Sequence, residues 1–261
     1  MELKQNKIND SEPALNAVFK LPFAEQESFF KNKLNIPTAR WDDLWKAQHA
    51  KGFMVAGAYK AELLADFRDA VEKAISEGTT LEDFRKDFDS IVEKNGWSYN
   101  GTRNWRSALI YSTNISTSYA AGRWAQLTDP EQLQVMPYLT YKHGDSVVPR
   151  PEHLAWDGIT LPADDPWWQT HYAPNGWGCT CRVFGSTRSE YAKAQQKGLG
   201  EAPPSPIDEK TGEPVGIDKG WGYNVGEAAA TQSHKILEGV ISRLPKDIAA
   251  KLRKEMKSLN G

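Results

Sequence analysis

Two runs of apolar residues at helical spacing, separated by a Gly-Thr-Thr turn, constrain this chain more than any other feature of its sequence. In the first run Tyr59, Leu63, Phe67, Val71, Ala74 and Ile75 recur at three- and four-residue steps, which places them on one helical face. Gly78 comes next as a C-terminal stop, because glycine readily takes the left-handed conformation that ends many helices. Thr80 opens the second run with Asp83 three residues on, a variant of the capping box. Leu81, Phe84, Phe88, Ile91 and Val92 form its stripe, and Gly96 ends it. Two amphipathic helices joined by so short a turn are expected to pack as an antiparallel pair.

A third helix is expected from about Thr102 to Leu127, with Trp105, Leu109, Ser112, Ser116, Tyr119, Ala120 and Trp124 on one face. Ser, Thr and Asn crowd its centre and compete for backbone hydrogen bonds, so that face points to a buried polar network or a neighbouring chain. Thr128-Asp129-Pro130 ends it. Ahead of the pair, residues 1–40 read as a loosely ordered arm interrupted by Pro13, Pro22 and Pro37, with a short helix over 25–34 around Phe29 and Phe30. Thr38, placed before Trp41, Leu44 and Trp45, marks a further helix start.

Beyond residue 130 the pattern changes. Tyr138-Leu139-Thr140-Tyr141 is β-prone, and Gly and Pro punctuate the residues after it. A small antiparallel sheet with long ordered loops is expected there, which makes the fold class α+β. The organisation then reads as an arm over 1–40, a helical region over 41–130, and an α+β core over 131–187 to which the helix 102–127 belongs. A short helix is expected over 190–196, a Pro- and Gly-rich linker over 188–225, and two short helices over 226–261 parted at Leu244-Pro245.

Composition excludes several classes. Lys and Arg number 32 against 34 Asp and Glu, for a net charge of −2, so this is not a chain whose whole surface wraps nucleic acid, though a local basic patch remains open. No apolar run approaches the roughly 20 residues that span a bilayer, and the start, Met1 to Asp10, is polar, so neither a membrane partner nor a secretory signal is expected. Two Cys one residue apart make no disulfide framework, and the protein is expected in the cytoplasm when made. Ten Trp is high for this length and favours a crowded core or an interface.

Chemistry concentrates in residues 143–182, which hold three of the five His and both Cys. His153, Cys179 and Cys181 are ligand types suited to Zn²⁺, with His143 or His171 available to complete a tetrahedron, although Cys-X-Cys is a tighter spacing than most structural zinc sites use. The alternative for the cysteines is a pair of buried, inert thiols beside a strand. A hydrolytic alternative makes His153 a general base oriented by Asp157 or Glu152, as nuclease chemistry would need. No nucleophile elbow and no Gly-rich phosphate loop accompanies it. A structural role competes with it: Asp157-Gly158 makes a tight turn, and His153 bonds across a loop short of backbone partners.

The order of motifs here resembles the phage Mu F-like family of head morphogenesis proteins, the minor head proteins. It runs Arg150-Pro-Glu-His153, Asp157-Gly158, Asp165-Pro166-Trp167-Trp168, then Pro174-Asn175-Gly176-Trp177-Gly178-Cys179-Thr180-Cys181-Arg182. Upstream, Pro37-Thr-Ala-Arg-Trp41-Asp-Asp-Leu-Trp45, Gly78-Thr-Thr-Leu81 and Trp105-Arg106 with Tyr111, Thr113 and Asn114 extend the resemblance to about residues 25–185. It implies a structural protein of few copies in the virion head, assembled in the host cytoplasm. The implied partners are the portal protein and other head or scaffold proteins, with packaged DNA as a further contact, and no enzymatic activity is implied. The family domain also occurs fused to toxin modules, and a nuclease-type fold has been suggested for it. No such module is recognisable after residue 187.

Overall fold

The computed structural model describes residues 23–231 and 234–259. Among them, eleven α-helices and a three-stranded antiparallel sheet make an α+β fold, as expected. The expected loose organisation of residues 1–22 lies outside the described residues.

The helix pair forms as its spacing requires. Helix α1 spans Ala24–Lys31, α2 spans Ala61–Glu77 and α3 spans Leu81–Asn95. Leu63, Leu64, Phe67 and Val71 of α2 share one core with Phe84, Phe88 and Ile91 of α3. The Phe67 ring lies 5.7 Å from Phe88 and 5.1 Å from Trp97, centroid to centroid. Gly78 and Gly96 end the two helices in the left-handed region, at φ 66° and 57°. Thr80 Oγ1 accepts from the Asp83 amide at 3.2 Å, and its hydroxyl donates to the Asp83 carboxylate at 2.7 Å, so the cap forms on one side only. Tyr59 falls ahead of α2 and stays exposed, outside the stripe.

Helix α4 (Arg103–Leu127) has the expected extent but not the expected face. Its buried side chains are Arg106, Ser107, Ile110, Thr117, Ser118, Ala120, Ala121 and Leu127, while Trp105 is 53% exposed. Close approach of α1 decides this in the second half of the helix. A Cβ on Gly122 would sit 2.7 Å from the Gln26 amide nitrogen, so small residues must face α1. The polar centre is a buried network, as one of the two expectations had it: Gln26 Nε2 donates to Ser118 Oγ at 3.0 Å.

After α5 (Pro130–Val135), capped by Asp129, comes strand β3; with β1 (Leu34–Asn35) and β2 (Gly52–Phe53) ahead of it, it spans Tyr138–Lys142. It is the centre of a sheet with β4 (Thr160–Pro162) and β5 (Arg182–Ser186) on either side, both antiparallel to it. Leu139 and Tyr141 point inward, and on the other face Thr140 shares hydroxyl hydrogen bonds with Thr160 and Ser186. Three helices line the connections: α6 (Pro151–Ala155), α7 (Trp168–His171) and α8 (Arg188–Gln196), the last opened by a Thr187–Glu190 capping box.

Four further expectations need correction. Residues 23–40 are not a loose arm: Leu34, Ile36 and Leu44 form a core with Leu237, Val240, Ile241, Leu252 and Met256, and β1 pairs in parallel with β2. The C-terminal partners come from α9 (Val225–Ala230), a 3-10 turn over His234–Leu237, α10 (Glu238–Ile241) and α11 (Lys246–Leu259), more elements than the two helices expected. No helix starts at Trp41, because Asp43 Oδ2 accepts from the Ala39 and Arg40 amides at 2.7 and 2.8 Å and holds a turn instead. Finally, the stretch 203–222 is no free linker. Ile217 and Trp221 belong to the same core as Leu139, Tyr141 and Val183, and the stretch lies as a strap across the sheet domain.

Candidate functional site

The backbone brings His153 and the two cysteines together although 26 and 28 residues separate them. His153 sits in the single turn of α6, started by Pro151 at a position where the missing N–H costs nothing. Cys179 and Cys181 end the loop that feeds β5, after Gly178 at φ 68°. His153 Nδ1 lies 3.7 Å from Cys179 Sγ and 3.5 Å from Cys181 Sγ, and the three ligand atoms all fall within 4.8 Å of one another. All three residues are buried, and the thiols are free.

Around this triangle the environment is aromatic. The Trp156 ring stacks on His153 at 5.0 Å and meets His171 edge-on at 4.9 Å, so it stands between the two imidazoles. Tyr141 packs edge-on to Trp156, and its hydroxyl donates to Asn175 Oδ1 at 3.0 Å, both residues being fully buried. The hydrogen bond with Cys179 holds the Cys181 thiol below its ordinary range, with His153, Tyr141 and the Gly144 amide adding to it. Cys179 is driven up by the same bond and by burial. A cleft of about 310 Å³ reaches Cys179, Thr180 and Cys181 from the side of α4.

The strap closes the opposite side. His153 Nε2 bonds the Gly216 carbonyl at 2.8 Å. Arg150 Nη2 meets Asp218 at 2.6 Å, and the same carboxylate oxygen accepts the Trp177 amide at 2.8 Å. The Asp218 amide donates to the Asn175 carbonyl at 3.0 Å. Further along, Glu213 is buried and accepts from Lys46 Nζ at 2.9 Å and from the Gly220 amide at 3.1 Å, which ties the strap to the N-terminal segment. Gly176 and Gly216 are required by this closeness. A Cβ on Gly176 would lie 2.3 Å from Asp218 Oδ2, and one on Gly216 (φ 93°) would lie 2.6 Å from Glu152 Cβ.

Of the residues singled out in the sequence, His153, Cys179 and Cys181 come together and Arg150 anchors the strap. His143 and His171 do not join them. His143 donates its amide to Asp157 Oδ1 at 2.8 Å, and His171 is held by the Trp167 carbonyl and Thr170, with Trp156 in between. Burial pushes His171 down to about 4, against the bond to the Trp167 carbonyl. Asp157 does not orient His153: it pairs with Lys142 at 2.9 Å, and Gly158 at φ 86° completes the turn. Arg182 stacks over Tyr119 of α4 at 4.9 Å, away from the triangle. Tyr141, Asn175, Gly216 and Asp218 complete the site without being marked as site residues by the sequence.

Comparison with known proteins agrees with the motif order. Residues 65–184 match the family described as Phage Mu protein F like protein. The putative capsid assembly protein F of Escherichia phage Mu is 32% identical over 250 residues, covering 80% of this chain and 55% of the relative. The Mu-like prophage FluMu F protein of Haemophilus influenzae is 36% identical over 226 residues, covering 74% of this chain and 53% of the relative. The chain belongs to the Mu F-like family, and it spans about half the length of these relatives. No solved structure matches it. No helix among the described residues is long and apolar enough to cross a membrane.

Proposed function

We propose that this protein is a structural component of a phage head, acting in capsid assembly without an enzymatic activity of its own. The observation that carries this reading is its similarity, across 80% of its length, to a protein named for capsid assembly. The partners proposed are the portal protein and other head or scaffold proteins, with packaged DNA as a further contact. The place proposed is the virion head, reached from the host cytoplasm during assembly. The chemistry of the site favours the same view. Both ring nitrogens of His153 are engaged, Nδ1 with sulfur and Nε2 with a carbonyl, and Asp157 is engaged elsewhere, so no base is poised toward a substrate proton. Surface features suit an assembly contact as well: Trp41, Trp105 and Trp177 all stand more than a third exposed along one groove.

Removing the gene from its phage and supplying it back in trans tests the proposal. Head assembly or infectivity is expected to fail without the protein and return with it, and purified protein is expected to co-sediment with portal assemblies. Fully infectious particles that lack the protein would overturn the reading.

A further inference from the structure

We infer that His153, Cys179 and Cys181 bind one Zn²⁺ ion, which fastens the loop ahead of β5 to α6 beneath the strap. The assignment starts from the Gly216 carbonyl. A carbonyl only accepts, so the 2.8 Å bond puts the ring proton on Nε2 of His153. In the neutral imidazole Nδ1 is then a bare lone pair, and it faces both sulfurs at 3.7 and 3.5 Å. A tetrahedral zinc with its usual bond lengths to sulfur and nitrogen would separate such ligands by about 3.6 Å. The two nitrogen–sulfur separations therefore already match edges of a zinc tetrahedron, and the two sulfurs lie within 4.8 Å of each other.

The surroundings match the same assignment. A metal-bound imidazole is commonly steered by its other N–H donating to a carbonyl, which is the His153–Gly216 arrangement. With the ion, two thiolates balance Zn²⁺ and leave a neutral, buried site, whereas hard cations such as Mg²⁺ or Ca²⁺ would find no oxygen among these three donors. Binding displaces one proton from each thiol, so two protons leave as two Zn–S bonds and one Zn–N bond form. The cleft lined by Cys179 and Cys181 provides an entry path for the ion. None of this depends on the head-assembly reading.

The test uses the whole protein, made without chelator and kept reduced. About one equivalent of zinc per chain is expected by elemental analysis after exchange into metal-free buffer. Refolding in Co²⁺ is expected to give thiolate-to-cobalt charge-transfer absorption in the near ultraviolet. Cys181→Ser is expected to lose both signals. Because that variant risks misfolding, the decision rests on the unsubstituted protein. Less than about a tenth of an equivalent of zinc, with no cobalt absorption and both thiols titrating as free and reduced, would overturn the assignment.

Discussion

The helix pair and the strapped sheet region hold themselves together by opposite means. In the pair, Phe67, Phe84 and Phe88 are fully buried among aromatic and aliphatic neighbours, and the polar groups lie outside, as in the Lys73–Asp87 link across the two helices at 3.3 Å. Between Tyr141 and Trp221, long loops bring polar groups to specific partners, buried for His153 with the Gly216 carbonyl and Tyr141 with Asn175, and partly exposed for Arg150 with Asp218. Apolar packing is non-directional and tolerates adjustment. A buried polar group left without its partner costs its whole desolvation. The helix pair should therefore lose stability in proportion to the volume removed, and the strapped region in proportion to the partners lost.

The largest single effect is expected from Phe67→Ala, at about 3–5 kcal/mol, because it opens a cavity in a core that cannot collapse around it. Denaturant unfolding measures it, and a loss below about 1 kcal/mol would show that the pair is not held by its apolar stripe. Gly216→Ala comes next, at about 2–4 kcal/mol, since it combines a strained positive φ with a clash against Glu152 and Trp156. Near-ultraviolet circular dichroism should show the tryptophans loosening while far-ultraviolet helicity holds. Equal loss of helicity would mean that the two regions are one cooperative unit.

Acid should separate the regions through His171. Its folded-state value is lowered to about 4, so as pH falls from the unfolded value near 6.5 the unfolded chain takes up a proton that the folded one refuses. Stability is thus fully present above about 6.5 and falls by about 1.4 kcal/mol per unit toward 4, or roughly 2 kcal/mol by pH 5. His171→Phe should flatten that part of the stability profile, and an unchanged slope would remove His171 as its source. The smallest effect is expected from Arg150→Ala, about 1 kcal/mol, because the Arg150–Asp218 pair remains about a third exposed. Its mark should be faster proteolysis within 203–222 with little change in the thermal midpoint.

The sequence made the helix pair legible because each contact repeats a local period. Phe84 and Phe88 lie one turn apart, Thr80 caps four residues away from Phe84, and glycine marks both ends. The sheet was legible for the same reason, through Tyr138 to Tyr141. At the candidate site the residue types were legible and the partners were not. His153 reaches Gly216 across 63 residues and Arg150 reaches Asp218 across 68, distances at which no local pattern speaks. The Pro and Gly content of 203–222 reports how the backbone can bend there, and it says nothing of what the segment lies on. The buried face of α4 departs from its periodicity for a related reason. Periodicity ranks side chains by hydrophobicity, whereas close approach of α1 selects them by size, which brings Ser118 and Gly122 to the contact.

Hydrogen exchange at the Asp218 and Gly220 amides tests most directly whether the strap is part of the folded core. Both are bonded, to the Asn175 carbonyl and to Glu213. They are expected to be protected to the same degree as the Tyr141 amide of the central strand, which bonds the Ile159 carbonyl, and to exchange with it in one opening event. Exchange of Asp218 and Gly220 at free-chain rates, with Tyr141 still protected, would contradict the strap and return residues 203–222 to the status of a linker.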